Sequence, residues 1–220
     1  DLHEAGLGVW TVESFRLLDD YGCPEVIGLD DLGRVIALAC YSGKWTPRLA
    51  VGDGLWLGGI AHGDLDPRLP GAELYVGGRR GVLYQVSPRP AGAFDVRRIA
   101  EFPGEEIHTL MLGDLLPDAE GLELLAFLGT GQVFRVRQDE PGFAAIPLGK
   151  LPGRVRDAVL LPTAPGAAPW IAAVSRSGEV ALLRLGKQGL ERQTILSEPM
   201  GPVRIDSRHG SAVPPPGHQF

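Results

Sequence analysis

One pattern occurs several times in this chain, and that repetition limits the fold more than any other feature. Gly63–Val86 reads GDLDPRLPGAELYVGGRRGVLYQV: an acidic loop, a short apolar run, a tight turn and a second alternating run. The pattern returns at Gly113–Val136, more loosely at Leu160–Leu183, and in shortened form at Leu18–Leu38. The turn glycines Gly33, Gly81, Gly131 and Gly178 are spaced 48, 50 and 47 residues apart (81 − 33, 131 − 81, 178 − 131). Five residues after each stands an aliphatic side chain: Leu38, Val86, Val136 and Leu183. Eight residues before three of them stands a glutamate: Glu25, Glu73 and Glu123. In the fourth unit the corresponding stretch holds Pro169, nine before Gly178. A fixed period of this length marks an array of supersecondary units that share one continuous core.

Within each unit the apolar residues alternate or run for strand length, and glycine or proline separates the runs. The expected strands of the first unit are Val9–Leu17, Glu25–Gly28, Arg34–Cys40 and Arg48–Val51, with Tyr41–Pro47 as a polar, aromatic loop. The second unit offers Leu55–Ala61, Glu73–Gly77, Val82–Val86 and Phe94–Ala100. The third offers Ile107–Leu112, Leu122–Leu128, Gln132–Val136 and Phe143–Pro147. The fourth offers Val155–Leu161, Trp170–Val174, Glu179–Leu185 and Glu191–Leu196. No stretch shows helical periodicity. Four-stranded units of about 48 residues predict an all-β fold, a β-propeller of four or five blades, because radial repetition leaves only short, protected sheet edges. The expected layout is a lead-in at 1–8, a propeller at 9–206 and a proline-rich tail or linker at 207–220. The blades would cover 9–54, 55–104, 105–152 and 153–199, and 200–206 would open a partial fifth. A larger propeller, of which this is a portion, is the rival layout.

The 31 glycines and 19 prolines fall at repeating positions between apolar runs, so they read as turns rather than low-complexity sequence. A net charge of −6 argues against a nucleic-acid footprint, which needs a clustered basic face. Arg79–Arg80 and Arg97–Arg98 are short pairs that suit solvated turns and strands. No run has the length of a membrane span. The two cysteines, Cys23 and Cys40, are a candidate disulfide. If Val26–Gly28 pairs with Val35–Ala37, facing residue numbers sum to 63, which sets the two thiols opposite one another. A pair of buried free thiols is the other reading. A disulfide would suit an oxidising, extracytoplasmic compartment, periplasmic or secreted.

The form G-D-x-x-P, then G-x-E-L, an apolar strand and G-x-V-x-x-V resembles the FG-GAP/VCBS family of propeller repeats. The resemblance covers most of Leu18–Leu196. It implies a binding or interaction platform, and in that family an Asp-x-Asp-x-Asp-Gly loop often holds calcium. Here the match is partial. Asp64 and Asp66 occupy the first and third positions of the second unit, but Arg68 stands fifth. Asp114 and Asp118 occupy the first and fifth positions of the third unit, but Leu116 stands third. Calcium wants six to eight oxygen ligands; the alternative is that these aspartates cap turns. Beyond possible calcium, no cofactor is implied.

No catalytic residue can be assigned. The serines lie outside any Gly-x-Ser-x-Gly elbow, and the haem and phosphate-loop motifs are absent. His3, His209 and His218 lie in the terminal segments. His62 and His108 fall on equivalent strands and are candidate binding residues near the central channel. Glu25, Glu73 and Glu123 repeat by structure and read as scaffold. Trp10, Trp56 and Trp170 read as core, whereas Tyr41 and Trp45 are candidate exposed contacts. Three functions follow in order. The first is a non-catalytic interaction domain or accessory subunit that binds a protein partner. The second is a carbohydrate-binding, lectin-like propeller. The third is an enzyme with its site at the channel mouth.

Overall fold

A computed structural model describes residues 9–15, 25–30, 34–41, 44–51, 57–89, 94–116, 121–164, 166–186 and 189–197. Sixteen strands form four antiparallel four-stranded sheets, each in simple sequence order. The first sheet holds β1 (Val9–Phe15), β2 (Glu25–Asp30), β3 (Val35–Tyr41) and β4 (Lys44–Val51). The second holds β5 (Leu57–Gly63), β6 (Glu73–Gly78), β7 (Val82–Pro88) and β8 (Phe94–Glu101). The third holds β9 (Ile107–Gly113), β10 (Glu123–Leu128), β11 (Gln132–Asp139) and β12 (Gly142–Lys150). The fourth holds β13 (Val155–Leu161), β14 (Trp170–Ser175), β15 (Val180–Gly186) and β16 (Gly189–Leu196). Inner strands β5, β9 and β13 pack side by side, and so do outer strands β4, β8, β12 and β16. The sheets are the blades of a β-propeller. Among the described residues, the main packing runs from each blade to the next, and none of comparable extent joins the fourth to the first. No helix of the described residues is long and apolar enough to cross a membrane.

The repeated glycine fixes the register of the second, third and fourth blades. Across the central hairpins, Leu29 faces Val35, Gly77 faces Leu83, Phe127 faces Val133 and Val174 faces Val180. The midpoints of these pairs are 32, 80, 130 and 177, each one residue before a turn glycine. Gly81, Gly131 and Gly178 have φ values of 78°, 87° and 89°. Their amides close the turn by donating to the carbonyl oxygens of Gly78, Leu128 and Ser175 at 3.0, 2.9 and 3.1 Å. The turn glycine then holds the exit of the outer strand. Phe102 N donates to Gly81 O at 2.7 Å, and Leu151 N to Gly131 O at 2.8 Å. A Cβ on Gly81 would lie 1.9 Å from Phe102 O, and one on Gly131 2.5 Å from Leu151 O. Positive φ and close backbone together restrict both sites to glycine.

This register corrects the geometric case for the disulfide. In the first hairpin Val26 faces Leu38 and Ile27 faces Ala37, so facing numbers sum to 64 rather than 63. The strand continues to Asp30 before turning, which shifts the pairing by one residue. Cys40 lies in β3 and faces Trp45 on its other side, whereas Cys23 lies outside the described residues. The expected loop at Tyr41–Pro47 is also corrected. Tyr41 ends β3 and pairs with Lys44, and Trp45 lies within β4, so strand replaces most of that loop. Trp45 and Thr46 are strand formers beside a two-residue Ser-Gly connection, which favours a tight hairpin. Pro47 and Pro147 sit in the outer strands β4 and β12, where a missing N–H is tolerated.

A second feature repeats with the same period. Each inner strand has an irregularity that leaves one residue unpaired: Trp10, Gly58, His108 and Arg156. Each outer strand has another, at Ala50, Ile99, Leu148 and Ile195. Such bulges raise the local twist, as a blade requires between its axis and its rim.

The core lies between blades. Ile27, Val35 and Ala37 of the first blade pack with Leu74, Val76 and Val86 of the second. Tyr75 and Leu83 pack with Ile107, Leu124 and Val136 of the third. Leu125, Phe127 and Val133 pack with Ile171, Ala173 and Leu183 of the fourth. Every residue of β6 and β10 is buried. The second strand of a blade is covered on both faces, which explains its near-continuous apolar sequence.

Gly131→Ala is expected to destabilise the protein by about 1–3 kcal/mol through backbone strain alone, with further loss from the contact at Leu151. Gly142→Ala, where a Cβ meets nothing within 4 Å, serves as the control. Urea unfolding of both variants measures the difference, and equal losses would refute the role given to the turn. Val133 is fully buried, so Val133→Asp should cost on the order of 4 kcal/mol and abolish the cooperative melt.

Candidate functional site

The two ends of the propeller differ in chemistry. One end carries the loops between the first and second strands of each blade, and these hold the conspicuous carboxylates. Glu73 opens β6 and is 1% exposed. Its Oε2 accepts from Leu65 N at 3.2 Å, Asp66 N at 3.3 Å and the Tyr75 hydroxyl at 2.6 Å. Glu123 holds the same position in the third blade and accepts from Leu115 N at 2.9 Å. Each carboxylate ties down the loop that precedes its own strand. Burial raises both carboxyls above their ordinary range, against the opposing pull of these hydrogen bonds. In the fourth blade Trp170, eight before Gly178, stands where the glutamate would. Its ring is covered by the Arg184 guanidinium 4.6 Å away, and Arg184 Nε also donates to Glu191 at 3.0 Å.

The candidate calcium residues divide. Asp64 and Asp114 are exposed. Asp66 is buried, and both its oxygens are engaged by Arg68: Nε donates to Oδ1 at 2.7 Å and Nη2 to Oδ2 at 2.8 Å. The Arg68 hydrogen bond holds this carboxyl below its usual range. The guanidinium thus supplies the positive charge in that loop. Asp118 lies outside the described residues. Among the described residues, no three His, Cys, Asp or Glu side chains converge as a metal site.

The two histidines are not brought together. Gly63 faces Glu73 and Gly113 faces Glu123, so β5 and β9 align with His62 level with Leu112 and His108 level with Gly58. Four residues of strand, roughly 13 Å, separate the two levels. Both rings are half-buried, and burial lowers both below the ordinary histidine value. Tyr41 and Trp45 belong to a hairpin whose aromatic side chains fall outside the description.

The opposite end is built from the central-hairpin turns and the segments that lead into each inner strand. Here His108 occupies the unpaired position of β9, between Glu106 and Thr109. The Glu106 carboxylate accepts from Arg154 Nη2 at 3.0 Å and lies 3.7 Å from Arg79 Nε. It therefore joins the turn of the second blade to the lead-in of the fourth. Thr109 Oγ1 donates to Val155 O at 3.1 Å, again across a blade boundary. Arg176 N donates to Arg154 O at 2.8 Å, which draws the fourth blade's turn into the group. Arg154 and Arg156 add to the effect of burial in lowering His108, and Glu106 opposes it. The group offers fixed guanidinium charge and a half-buried imidazole. The Thr109 hydroxyl also lies 3.4 Å from His108 Nδ1.

Sequence reasoning named His108 but not Glu106, Arg154 or Arg156. A signal was present: residues 10, 58, 108 and 156 stand 23, 23, 23 and 22 positions before the turn glycines. No family pattern matches the chain, and no characterised protein matches it in sequence. Among solved structures, the chain is similar to the WD40 domain of SCAP from fission yeast, with 15% identity and a TM-score of 0.49. The match covers 86% of this chain and 44% of that one, so the chain spans less than half the length of that structure.

Glu73 binds its proton more tightly in the fold than in the unfolded chain. Its contribution to stability is therefore fullest below the ordinary value of 4.5 and fades as pH rises through the raised folded value. Glu73→Gln keeps an acceptor but removes the titration. The stability of wild type relative to Glu73→Gln should fall as pH rises from acid to neutral, measured by urea unfolding at a series of pH values. A difference that is flat with pH would contradict the assignment.

Proposed function

We propose that this chain is a non-catalytic propeller that acts as a protein-interaction domain or accessory subunit. The observation that carries the reading is the contrast between frame and content. Turn glycines, bulges and interblade cores repeat from blade to blade, but the unpaired inner-strand position holds Trp10, Gly58, His108 and Arg156 in turn. A rigid repeated frame with one varied position suits recognition of an irregular partner. The partial likeness to FG-GAP/VCBS repeats points the same way and favours a setting outside the cytoplasm. Native mass spectrometry of the protein purified gently from its source tests the proposal. A stoichiometric second polypeptide is the expected result. A lone chain that binds glycans on an array would replace this reading with the lectin one.

A further inference from the structure

The end of the propeller around Glu106 gathers more positive charge than the chain as a whole predicts. Arg79 and Arg80 come from the second blade's turn, Arg154 and Arg156 from the fourth blade's entry, and Arg176 from the fourth blade's turn. Their convergence rests on three separate contacts. Glu106 reaches both Arg79 and Arg154, the backbone bond links Arg176 to Arg154, and Arg80 and Arg156 stand beside Arg79 and Arg154 in the chain. Arg79, Arg80, Arg156 and Arg176 are exposed. Among the described residues, Glu105, Glu106 and Asp157 lie beside these arginines, and Glu101 and Glu179 at the same end are held by Arg98 and Arg192, in a protein whose net charge is −6. The opposite end exposes Asp64, Asp114, Asp139 and Glu140 together with Lys44, Arg68 and Arg89.

We infer that this arginine cluster docks an acidic segment of a partner protein, through carboxylates spaced along an extended chain. The inference rests on the interaction reading above and names the chemistry of the partner. Glu106 shows the mode of recognition internally: one carboxylate draws guanidinium groups from two blades at once. Arginine forks match carboxylates in this way, and the exposed Arg80, Arg156 and Arg176 are placed to meet carboxylates from outside. The cluster is confined to one end, so it offers a long polyanion no continuous basic track. A short acidic peptide fits that distribution better than a nucleic acid does.

The test uses a fluorescein-labelled oligoglutamate peptide and fluorescence anisotropy on the full chain. Wild type should bind, and binding should weaken as ionic strength rises. The combined variant Arg80→Glu/Arg156→Glu/Arg176→Glu should bind at least about tenfold more weakly, since rim charges act together in steering and holding a charged partner. Lys44→Glu/Arg89→Glu, away from the cluster, should leave binding unchanged. Melting curves confirm that both variants fold; competition by salt and by unlabelled peptide on wild type gives a readout independent of any variant. Three results would overturn the inference: no binding by wild type, equal loss in both variants, or tighter binding of an oligonucleotide of equal charge. If a natural partner is captured and still binds the triple variant, this inference fails while the interaction reading stands.

Discussion

The carbonyl and amide of a single turn glycine hold much of the second and third blades in place. At Gly81 and Gly131 the amide closes the central hairpin and the carbonyl receives the first residue beyond the outer strand. The second and third strands are thereby registered against each other, and the fourth is anchored to the same point. From that anchor the chain passes directly into the next inner strand. Phe102 and Leu151, the residues so anchored, are buried and belong to interblade clusters. The turn therefore governs packing between blades as well as pairing within one. A side chain at that glycine would push on the backbone of the chain's own exit, which has no room to retreat.

Because the turn sets the register, much of the fold was legible before any coordinates. The period located sixteen strands, and the structure contains all sixteen. Two errors came from positions where the pattern is silent. At Tyr41–Pro47 the residues are polar and aromatic, without alternation strong enough to separate a loop from a tight hairpin. Pro47 also suggested a break, although an outer strand accommodates it. In the first hairpin a shift of one residue was invisible, since Val26, Ile27, Val35 and Ile36 satisfy either pairing. The turn glycine would have decided it, had the midpoints of the other blades been known.

The candidate site was less legible for a different reason. Glu73 and Glu123 announced themselves by repetition, and their buried hydrogen bonds to the preceding loops match a scaffold role. Glu106, Arg154 and Arg79 do not repeat. They meet only because successive blades place a turn beside a lead-in, a relation between residues about 25 to 50 positions apart that no local motif records. Asp66 shows the converse. Its spacing suggested a metal loop, and in the fold the neighbouring Arg68 engages both its carboxylate oxygens. Sequence spacing reports which side chains could share a ligand; it does not report which counter-charge arrives first.

The outer strands carry one more consequence. A propeller closes its blades around an axis but leaves the last strand of every blade with unpaired backbone groups facing outward. In β4 and β12 a proline removes one donor from the strand. In β8 and β16 the strand is studded with charge, as Asp95, Arg97 and Arg98 in one and Glu191 and Arg192 in the other. Either device makes the edge a poor template for a copy of the same chain, and the two alternate around the blades. The backbone edge of the rim is thereby ill suited to fibrous self-association.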